Sequence, residues 1–232
     1  METTLEKQDA DVIVPVFNEE EILEEFYQRI SNLKLNLNLI FVDNASSDRS
    51  LSILESFPDV TIVRHSVNEG YGSSLIDGMA YGRNEKVIII DADCEYPPEV
   101  IPDILSALDK HDLVYTSRLY RRRSAVEANM PGLKVLGNRI ISGLFNRLFR
   151  QRTTDLYTGC KGFRRHCIEG LSFRRKGFEH VLEFACLLSR RGYRIVDIPI
   201  EFAPRSTGKS KMSHLAETSK FLALLLYFRV TT

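Results

Sequence analysis

Two aspartates one residue apart, Asp91 and Asp93, follow a run of four apolar residues at 87–90. Such a run predicts a strand that is buried on both faces. Carboxylates at the carboxyl end of a central parallel strand lie where open α/β sheets bind ligands. Two hard oxygen donors on alternate residues can share one divalent cation, whose other ligands are usually substrate phosphates. The pair therefore predicts a cation and phosphate site, unless Asp91 caps the next helix and Asp93 is solvated.

The elements that position this pair alternate between strand and helix. Apolar runs predict strands at 11–16, 38–42, 60–64, 87–90 and 112–117. Intervening stretches predict helices at 19–35, 49–57, 70–81 and from Pro97 onward, with Asn18 as the cap of the first. This alternation is typical of βαβ units, so we expect an α/β fold with a Rossmann-like, doubly wound and mostly parallel sheet.

Loops that follow parallel strands share one edge of the sheet. We therefore expect residues 15–19, Asp43 and the Asp91/Asp93 pair to meet in one crevice. Acidic side chains there can bind the hydroxyls or base edges of a nucleoside while Asp93 takes the metal. Gly70 and Gly72 begin a helix near this edge. Such a glycine pair either contacts a ligand directly or allows ordinary close packing.

The chain of 232 residues is long enough for one domain over 1–232. Its net charge is zero, but its acidic and basic residues are distributed unevenly along the sequence. Residues 1–110 hold 8 basic and 22 acidic side chains, whereas residues 111–232 hold 23 and 9. Either the basic half meets an anionic partner, such as phosphates or a membrane surface, or the two halves neutralise each other.

The four cysteines fall in no metal-ligand or redox spacing, and the first residues show no signal-peptide pattern. We therefore expect a cytoplasmic protein. Its longest apolar run, 221–228, is too short to span a bilayer, which takes about 20 residues.

Two C-terminal stretches have amphipathic character. Residues 135–152 combine apolar side chains with four arginines, which is typical of a helix lying in a lipid interface or packed in the core. The last predicted helix, 213–228, is a second lipid-facing candidate or the face of a homodimer. Lipid-facing helices would give peripheral contact with the cytoplasmic face of a membrane, and no nucleic-acid partner is expected.

Motifs along nearly the whole chain resemble those of family-2 glycosyltransferases with the GT-A fold. In the first half they are Val-Pro-Val-Phe-Asn-Glu ending at Glu19, Val-Asp-Asn-Ala-Ser-Ser-Asp ending at Asp48, Asn-Glu-Gly ending at Gly70 and Asp-Ala-Asp ending at Asp93. Stretches 155–164, 176–183, 198–200 and 205–211 resemble dolichol- or polyprenyl-phosphate hexose synthases. The resemblance implies transfer of a hexose from a nucleotide diphosphate sugar, of the GDP-mannose or UDP-glucose type, to a polyprenyl phosphate.

The resemblance also implies a nucleotide-sugar-binding half at 1–118, an acceptor-side half at 119–232, and roles for particular residues. The expected nucleotide-sugar contacts are Pro15, Phe17, Glu19, Asp43, Gly70, Asp91 and Ala92. Asp91 and Asp93 would engage the sugar diphosphate through Mg2+ or Mn2+. The phosphates, including that of the acceptor, would meet Arg118, Arg205, Ser210 and Lys211. Asp155 and Glu183 would orient arginines or line the acceptor pocket, unless they form core salt bridges. The loop 204–211 would close over phosphates, unless it is a solvated connector.

A phosphate monoester is already an anion at neutral pH, so it needs no strong general base. In-line attack by it would invert the anomeric configuration. Departures from the family pattern fall on the acceptor side, at 94–96, 121–123, Asn138 and Val181. Two alternatives therefore stay open: a soluble acceptor, whose hydroxyl would need Glu95 or Glu183 as base, and a catalytically silent nucleotide-sugar-binding protein.

Overall fold

A computed structural model describes residues 9–120, 132–201 and 214–231 of the chain. The strands are β1 (Ala10–Val16), β2 (Leu37–Asp43), β3 (Val60–Arg64), β4 (Lys86–Ile90), β5 (Leu113–Ser117), β6 (Cys160–Arg164) and β7 (Ile195–Pro199). The α-helices are α1 (Leu23–Ser31), α2 (Ser50–Ser56), α3 (Tyr71–Tyr81), α4 (Ile101–Leu108), α5 (Gly132–Phe149), α6 (His180–Arg190) and α7 (His214–Val230). The five strands predicted in the first half of the chain are all present, with ends that differ by one residue or less.

The seven strands form one mixed sheet in the order β3-β2-β1-β4-β6-β5-β7. All strand pairs are parallel except those that involve β6, which runs antiparallel to both β4 and β5. The prediction of a mostly parallel, doubly wound sheet is thus confirmed. Because β6 is reversed, its amino end reaches the edge where β4 and β5 have their carboxyl ends.

The strand β4 is buried on both faces, as its sequence predicts, and Val87, Ile88, Ile89 and Ile90 are all 0% exposed. Its side chains alternate between two apolar layers. Val87 and Ile89 belong to the layer that also contains residues of α3, α5, α6 and α7. Ile88 and Ile90 belong to the layer that contains residues of α1, α2 and α4. The strand is therefore a rigid base for the aspartates that follow it.

The loop between β1 and α1 differs from the prediction. Asn18 does not cap α1, because the helix begins at Leu23 and its N-cap residue, Ile22, makes no side-chain cap. Asn18 instead adopts a left-handed backbone with φ 53°, and its Oδ1 accepts a hydrogen bond from the Ser47 N–H at 2.8 Å. The asparagine thus joins the loop after β1 to the loop after β2, which explains why the predicted helix is too long at its start.

The helix predicted at 135–152 packs one face into the core, where Ile141, Phe145 and Phe149 are buried. On its other face Leu136 and Ile140 are about half exposed. Core packing therefore accounts for only part of its apolar surface, and contact of the rest with lipid stays a prediction. Across the described ranges, no helix has both the length and the apolar character to cross a membrane.

Candidate active site

The strand register brings the predicted donor-site residues to one edge of the sheet. Asp43 ends β2 level with Val16 of β1. Ile13 of β1 is level with Ile89 of β4, and Asp91 follows two residues later, directly after the end of β4. The carboxyl ends of the parallel strands therefore carry these side chains at a common height, as expected for the ligand edge of a doubly wound sheet.

Backbone and hydroxyl contacts fix the first two loops of this edge. The buried Asp43 carboxylate accepts the Ser46 N–H at 3.3 and 3.4 Å, and the Glu19 N–H donates to the Ser50 hydroxyl at 2.8 Å. Pro15, Phe17 and Glu19 are partly exposed. Three of the four residues expected to contact the nucleoside are therefore accessible beside a buried carboxylate.

A hydrogen-bond network centred on Asn44 extends this edge. Asn44 Oδ1 accepts the Glu69 N–H at 2.9 Å and lies 3.0 Å from His65 Nδ1. Asn44 Nδ2 donates to Asn68 Oδ1 at 3.0 Å, and His65 Nε2 lies 3.0 Å from Asp77 Oδ2. The residue after Asp43 thus connects β2 to the loop that precedes α3. His65 has a structural role here, because both of its ring nitrogens lie within 3.0 Å of oxygens of the chain.

Asp91 is held at two points. Its Oδ1 accepts the Tyr71 hydroxyl at 2.9 Å, and its backbone N–H donates to the Gly159 carbonyl at 3.2 Å. A Cβ atom at Gly159 would collide with Asp91 Oδ2, so the missing side chain of Gly159 makes room for the carboxylate. Asp93 is 8% exposed, and its Oδ1 accepts the Glu95 N–H at 2.9 Å. Asp91 therefore does not cap the next helix, and Asp93 is not fully solvated.

The electrostatics of the aspartate pair suit a divalent cation. Withdrawal from solvent and, after it, the charge of Asp93 raise the pKa of Asp91 to about 7, although the Tyr71 hydrogen bond opposes the increase. A divalent cation would relieve the repulsion between the two carboxylates. In the part of the chain that the structure describes, no three His, Cys, Asp or Glu side chains form a metal cluster. A bound Mg2+ or Mn2+ would thus depend on this pair and on substrate phosphates, as Mg2+ usually does.

Arg118, the first residue after β5, lies at the same edge in a buried ion pair. Its Nε and Nη2 donate to the Asp155 carboxylate at 2.7 and 3.0 Å, and its guanidinium lies 5.2 Å from the centre of the Tyr96 ring. Asn138 Nδ2 also donates to Asp155 at 2.7 Å. Burial alone would raise the pKa of Asp155, but the charge and hydrogen bonds of Arg118 lower it. Asp155 thus forms the core salt bridge that the sequence left open as an alternative, and this salt bridge holds the Arg118 guanidinium in one orientation.

Glu183 is also bound to donors of the chain itself. It accepts the N–H groups of Arg174 and Arg175 at 2.9–3.0 Å, and His180 Nδ1 lies 3.7 Å away. Burial alone would raise the pKa of Glu183, but these hydrogen bonds lower it. The carboxylate thus anchors the segment 173–177. Contact of Asp155 or Glu183 with an acceptor would have to be indirect.

The two glycines at the start of α3 have a packing reason. A Cβ atom at Gly70 would collide with the Lys176 carbonyl, and one at Gly72 with the Arg175 carbonyl. Gly70 also has φ +98°, which L side chains rarely adopt. Their absent side chains therefore let the segment 173–177 approach α3. A direct contact of Gly70 with the nucleotide sugar stays a prediction.

The other predicted site residues are placed as follows. Ala92 is buried between the two aspartates. Arg205, Ser210, Lys211 and the arginines at 121–123 lie outside the described residues. The structure adds Tyr71, Gly159 and Asn44, which sequence reasoning did not assign to the site. Each lies within or beside a motif quoted above: Tyr71 between Gly70 and Gly72, Asn44 directly after Asp43, and Gly159 in the stretch 155–164.

Comparison with known proteins identifies the fold and then the family. A solved structure of glucosyl-3-phosphoglycerate synthase from Mycobacterium tuberculosis, in complex with Mn2+, UDP and phosphoglyceric acid, superposes with a TM-score of 0.72. It is 19% identical, and the match covers 97% of this chain and 80% of that one. The likeness confirms the expected GT-A fold. The sequence model of glycosyl transferase family 2 matches residues 11–171, and the chain therefore belongs to that family.

Two curated relatives have a higher sequence identity to this chain than the solved structure has. The chain is 30% identical over 213 residues to dolichol-phosphate mannosyltransferase of Pyrococcus furiosus, covering 88% of this chain and 59% of the relative. It is 28% identical to undecaprenyl-phosphate 4-deoxy-4-formamido-L-arabinose transferase of Edwardsiella ictaluri, covering 88% and 63%. The chain thus spans about three-fifths of the length of these relatives.

Proposed function

We propose that the protein transfers a hexose from a nucleotide diphosphate sugar to a polyprenyl phosphate, in a reaction that depends on a divalent cation and inverts the anomeric configuration. The observation that carries the proposal is the placement of Asp91, Asp93 and Arg118 at one edge of the sheet. A divalent cation held by the two carboxylates would bind and neutralise a diphosphate leaving group beside the fixed guanidinium. Membership of family 2 supports this assignment.

Different residues of the described chain would bind different parts of the donor. Asp43 and the partly exposed Pro15, Phe17 and Glu19 would bind the nucleoside. Asp93 and Asp91 would hold Mg2+ or Mn2+, which when bound supplies positive charge to the diphosphate. Arg118 would act beside the cation, with its guanidinium held in a fixed orientation by the bidentate pairing with Asp155, which already balances its charge. Preorganised charge of this kind favours departure of the diphosphate.

The acceptor is proposed from the relatives and from the chemistry of the site. Both curated relatives are named for transfer involving a lipid phosphate, dolichol phosphate in one case and undecaprenyl phosphate in the other. A phosphate monoester needs no strong base, and Glu183 is unsuited to be one because its carboxylate is buried and carries backbone hydrogen bonds. Arg205, Ser210 and Lys211 are proposed to bind the acceptor phosphate.

A soluble acceptor is the second candidate. The solved structure that shares this fold contains phosphoglyceric acid, which is a soluble phosphorylated molecule. Attack by a hydroxyl group of such an acceptor would need a base, and Glu95 is the partly exposed carboxylate next to the aspartate pair. Glu95→Gln should then reduce turnover by a factor of about 100 or more, whereas a phosphate nucleophile predicts little change.

The donor and acceptor are tested together. The purified protein is incubated with a panel of UDP- and GDP-sugars, with polyprenyl phosphate or a soluble phosphorylated acceptor, and with Mn2+, Mg2+ or EDTA. We expect product only with a divalent cation, and mainly with the lipid phosphate. Product NMR should show inversion. Transfer that persists in EDTA, or retention of configuration, would contradict the proposed mechanism.

A further inference from the structure

Tyr71 stands out because it is the described side chain that donates a hydrogen bond to Asp91. Its hydroxyl lies 2.9 Å from Asp91 Oδ1, while Asp91 Oδ2 rests against the bare Cα of Gly159. The hydroxyl is thus a hydrogen-bond donor to one oxygen of this carboxylate.

The ring of Tyr71 is itself held in place. It stacks on Phe178 with the ring centres 5.1 Å apart and the planes at 18°. Tyr71 is also the first residue of α3, and the following turn is tied to a neighbouring segment because the Ser73 N–H donates to the Lys176 carbonyl at 3.1 Å. Stacking and helix attachment together leave the hydroxyl little freedom to move away from Asp91.

Both contacts come from the segment 173–178, which is the segment 173–177 together with Phe178. The buried carboxylate of Glu183 keeps this segment in place. Glu183 accepts the N–H groups of Arg174 and Arg175, and Lys176 Nζ lies 2.8 Å from Glu69, just before α3. The side-chain-free Gly70 and Gly72 allow the close approach. A continuous set of contacts thus runs from the acceptor half of the chain to the donor-site carboxylate.

We propose that Tyr71 is a positioning residue for Asp91, and that the segment 173–178 acts on the donor site by holding Tyr71 through Phe178. The inference rests on the proposed function, because it assigns Asp91 to the sugar diphosphate and its cation. Tyr71 itself touches neither in this account. It fixes the rotamer of the carboxylate that does, so loss of its hydroxyl should weaken cation and donor binding while leaving the fold intact.

The test compares Tyr71→Phe with Tyr27→Phe. Tyr27 is a matched control because its ring also stacks on a phenylalanine, Phe57, at 4.1 Å, and its hydroxyl also donates one hydrogen bond, to the Pro58 carbonyl at 3.1 Å. The measurements are the dissociation constant for Mn2+ by EPR in the presence of GDP or UDP, the KM for the donor, kcat, and the melting temperature.

We expect Tyr71→Phe to lower kcat/KM for the donor by about 10-fold to 100-fold, the loss typical of a hydrogen bond to a charged group, and to weaken Mn2+ binding in parallel. Tyr27→Phe should leave both at wild-type values. If the two variants have similar melting temperatures and Tyr71→Phe binds Mn2+ and donor like the wild type, the role of Tyr71 is purely structural and the inference is wrong.

A second variant tests the connection through the segment. Phe178→Leu removes the stacked ring but keeps the Tyr71 hydroxyl, so it should weaken Mn2+ and donor binding in the same direction. Combined with Tyr71→Phe it should add little, because both changes disturb one contact path. Fully additive losses would overturn the proposed connection. A wild-type protein that binds neither nucleotide with Mn2+ would instead contradict the proposed function itself.

Discussion

Asp155→Asn is predicted to destabilise the protein strongly. The substitution removes the negative charge that balances the buried guanidinium of Arg118. Asp155 is 0% exposed and accepts two side-chain hydrogen bonds from Arg118, at 2.7 and 3.0 Å. It also accepts the Arg118 N–H at 3.2 Å and a bond from Asn138 at 2.7 Å. An asparagine has nearly the same volume, yet it is neutral and turns an NH2 group toward these donors.

The expected magnitude follows from the burial of the pair. Removing one partner of a buried ion pair costs about 3–5 kcal/mol, because the remaining charge is left without compensation. With a urea slope of about 3 kcal/mol per M, the top of the range for small proteins, the unfolding midpoint should fall by about 1–1.7 M. The pair need not stabilise the fold by that amount, since a buried ion pair replaced as a whole is often neutral.

Urea unfolding monitored by circular dichroism measures this change, with Asp109→Asn as the control. Asp109 also pairs with a cation, Lys86 at 2.6 Å, but its side chain is 62% exposed. Solvent screens such a pair, so its loss should leave the midpoint unchanged within error. Equal midpoints for Asp155→Asn and the wild type would refute the assignment of Arg118 and Asp155 as a buried, mutually dependent pair.

Three further predictions concern packing, the site and pH. Gly72→Ala should destabilise the protein, because the added Cβ would collide with a backbone carbonyl. Gly143 lies on a helix with open space around it, so Gly143→Ala should raise the free energy of unfolding by about 0.5–1 kcal/mol in the same urea assay. Gly159→Ala should displace the Asp91 carboxylate and weaken Mn2+ binding measured by EPR, and it should also lower the urea midpoint because the added Cβ would overlap the buried Tyr96 ring. Burial lowers the pKa of His180 below its usual 6.5, so its contribution to stability is present above pH 6.5 and lost as the pH falls below it. His180→Phe should therefore reduce the loss of stability between pH 6.5 and 5, by at most about 1.4 kcal/mol per pH unit; an unchanged pH dependence would contradict this.

Much of the fold could be predicted because its signals are local. Strands β1 to β5 are short apolar runs between turn residues, and their alternation with helices predicts a parallel sheet. The strand β6 was not predicted, because Lys161 and Gly162 interrupt its apolar pattern. Lys161 is buried with its Nζ 5.3 Å from the centre of the Tyr115 ring. Gly162 lacks a Cβ where one would collide with Ile104 of α4. Both residues suit a strand only once remote elements surround them.

The candidate site also has a part that could be predicted from the sequence and a part that could not. The edge shared by Asp43, Asp91 and Arg118 follows from the rule that parallel strands present their carboxyl ends together. The contacts that fix these side chains could not be predicted, because their partners are distant in the sequence. Asp155 is 37 residues from Arg118, and Tyr71 is 20 residues from Asp91. Local pattern carries no information about which of many polar side chains will meet across the fold.

The central claim is that Asp91 and Asp93, at the end of the buried strand β4, bind a divalent cation and a nucleotide diphosphate sugar. The most direct measurement is the rate of sugar transfer from the donor panel to polyprenyl phosphate by the wild type, Asp93→Asn and the control Asp103→Asn, an exposed aspartate on α4. We predict Mn2+- or Mg2+-dependent transfer by the wild type and the control, and a loss of at least about 100-fold in Asp93→Asn, the scale on which removal of a transition-state charge partner acts. Equal rates for Asp93→Asn and the wild type, or transfer that is insensitive to EDTA, would contradict the account.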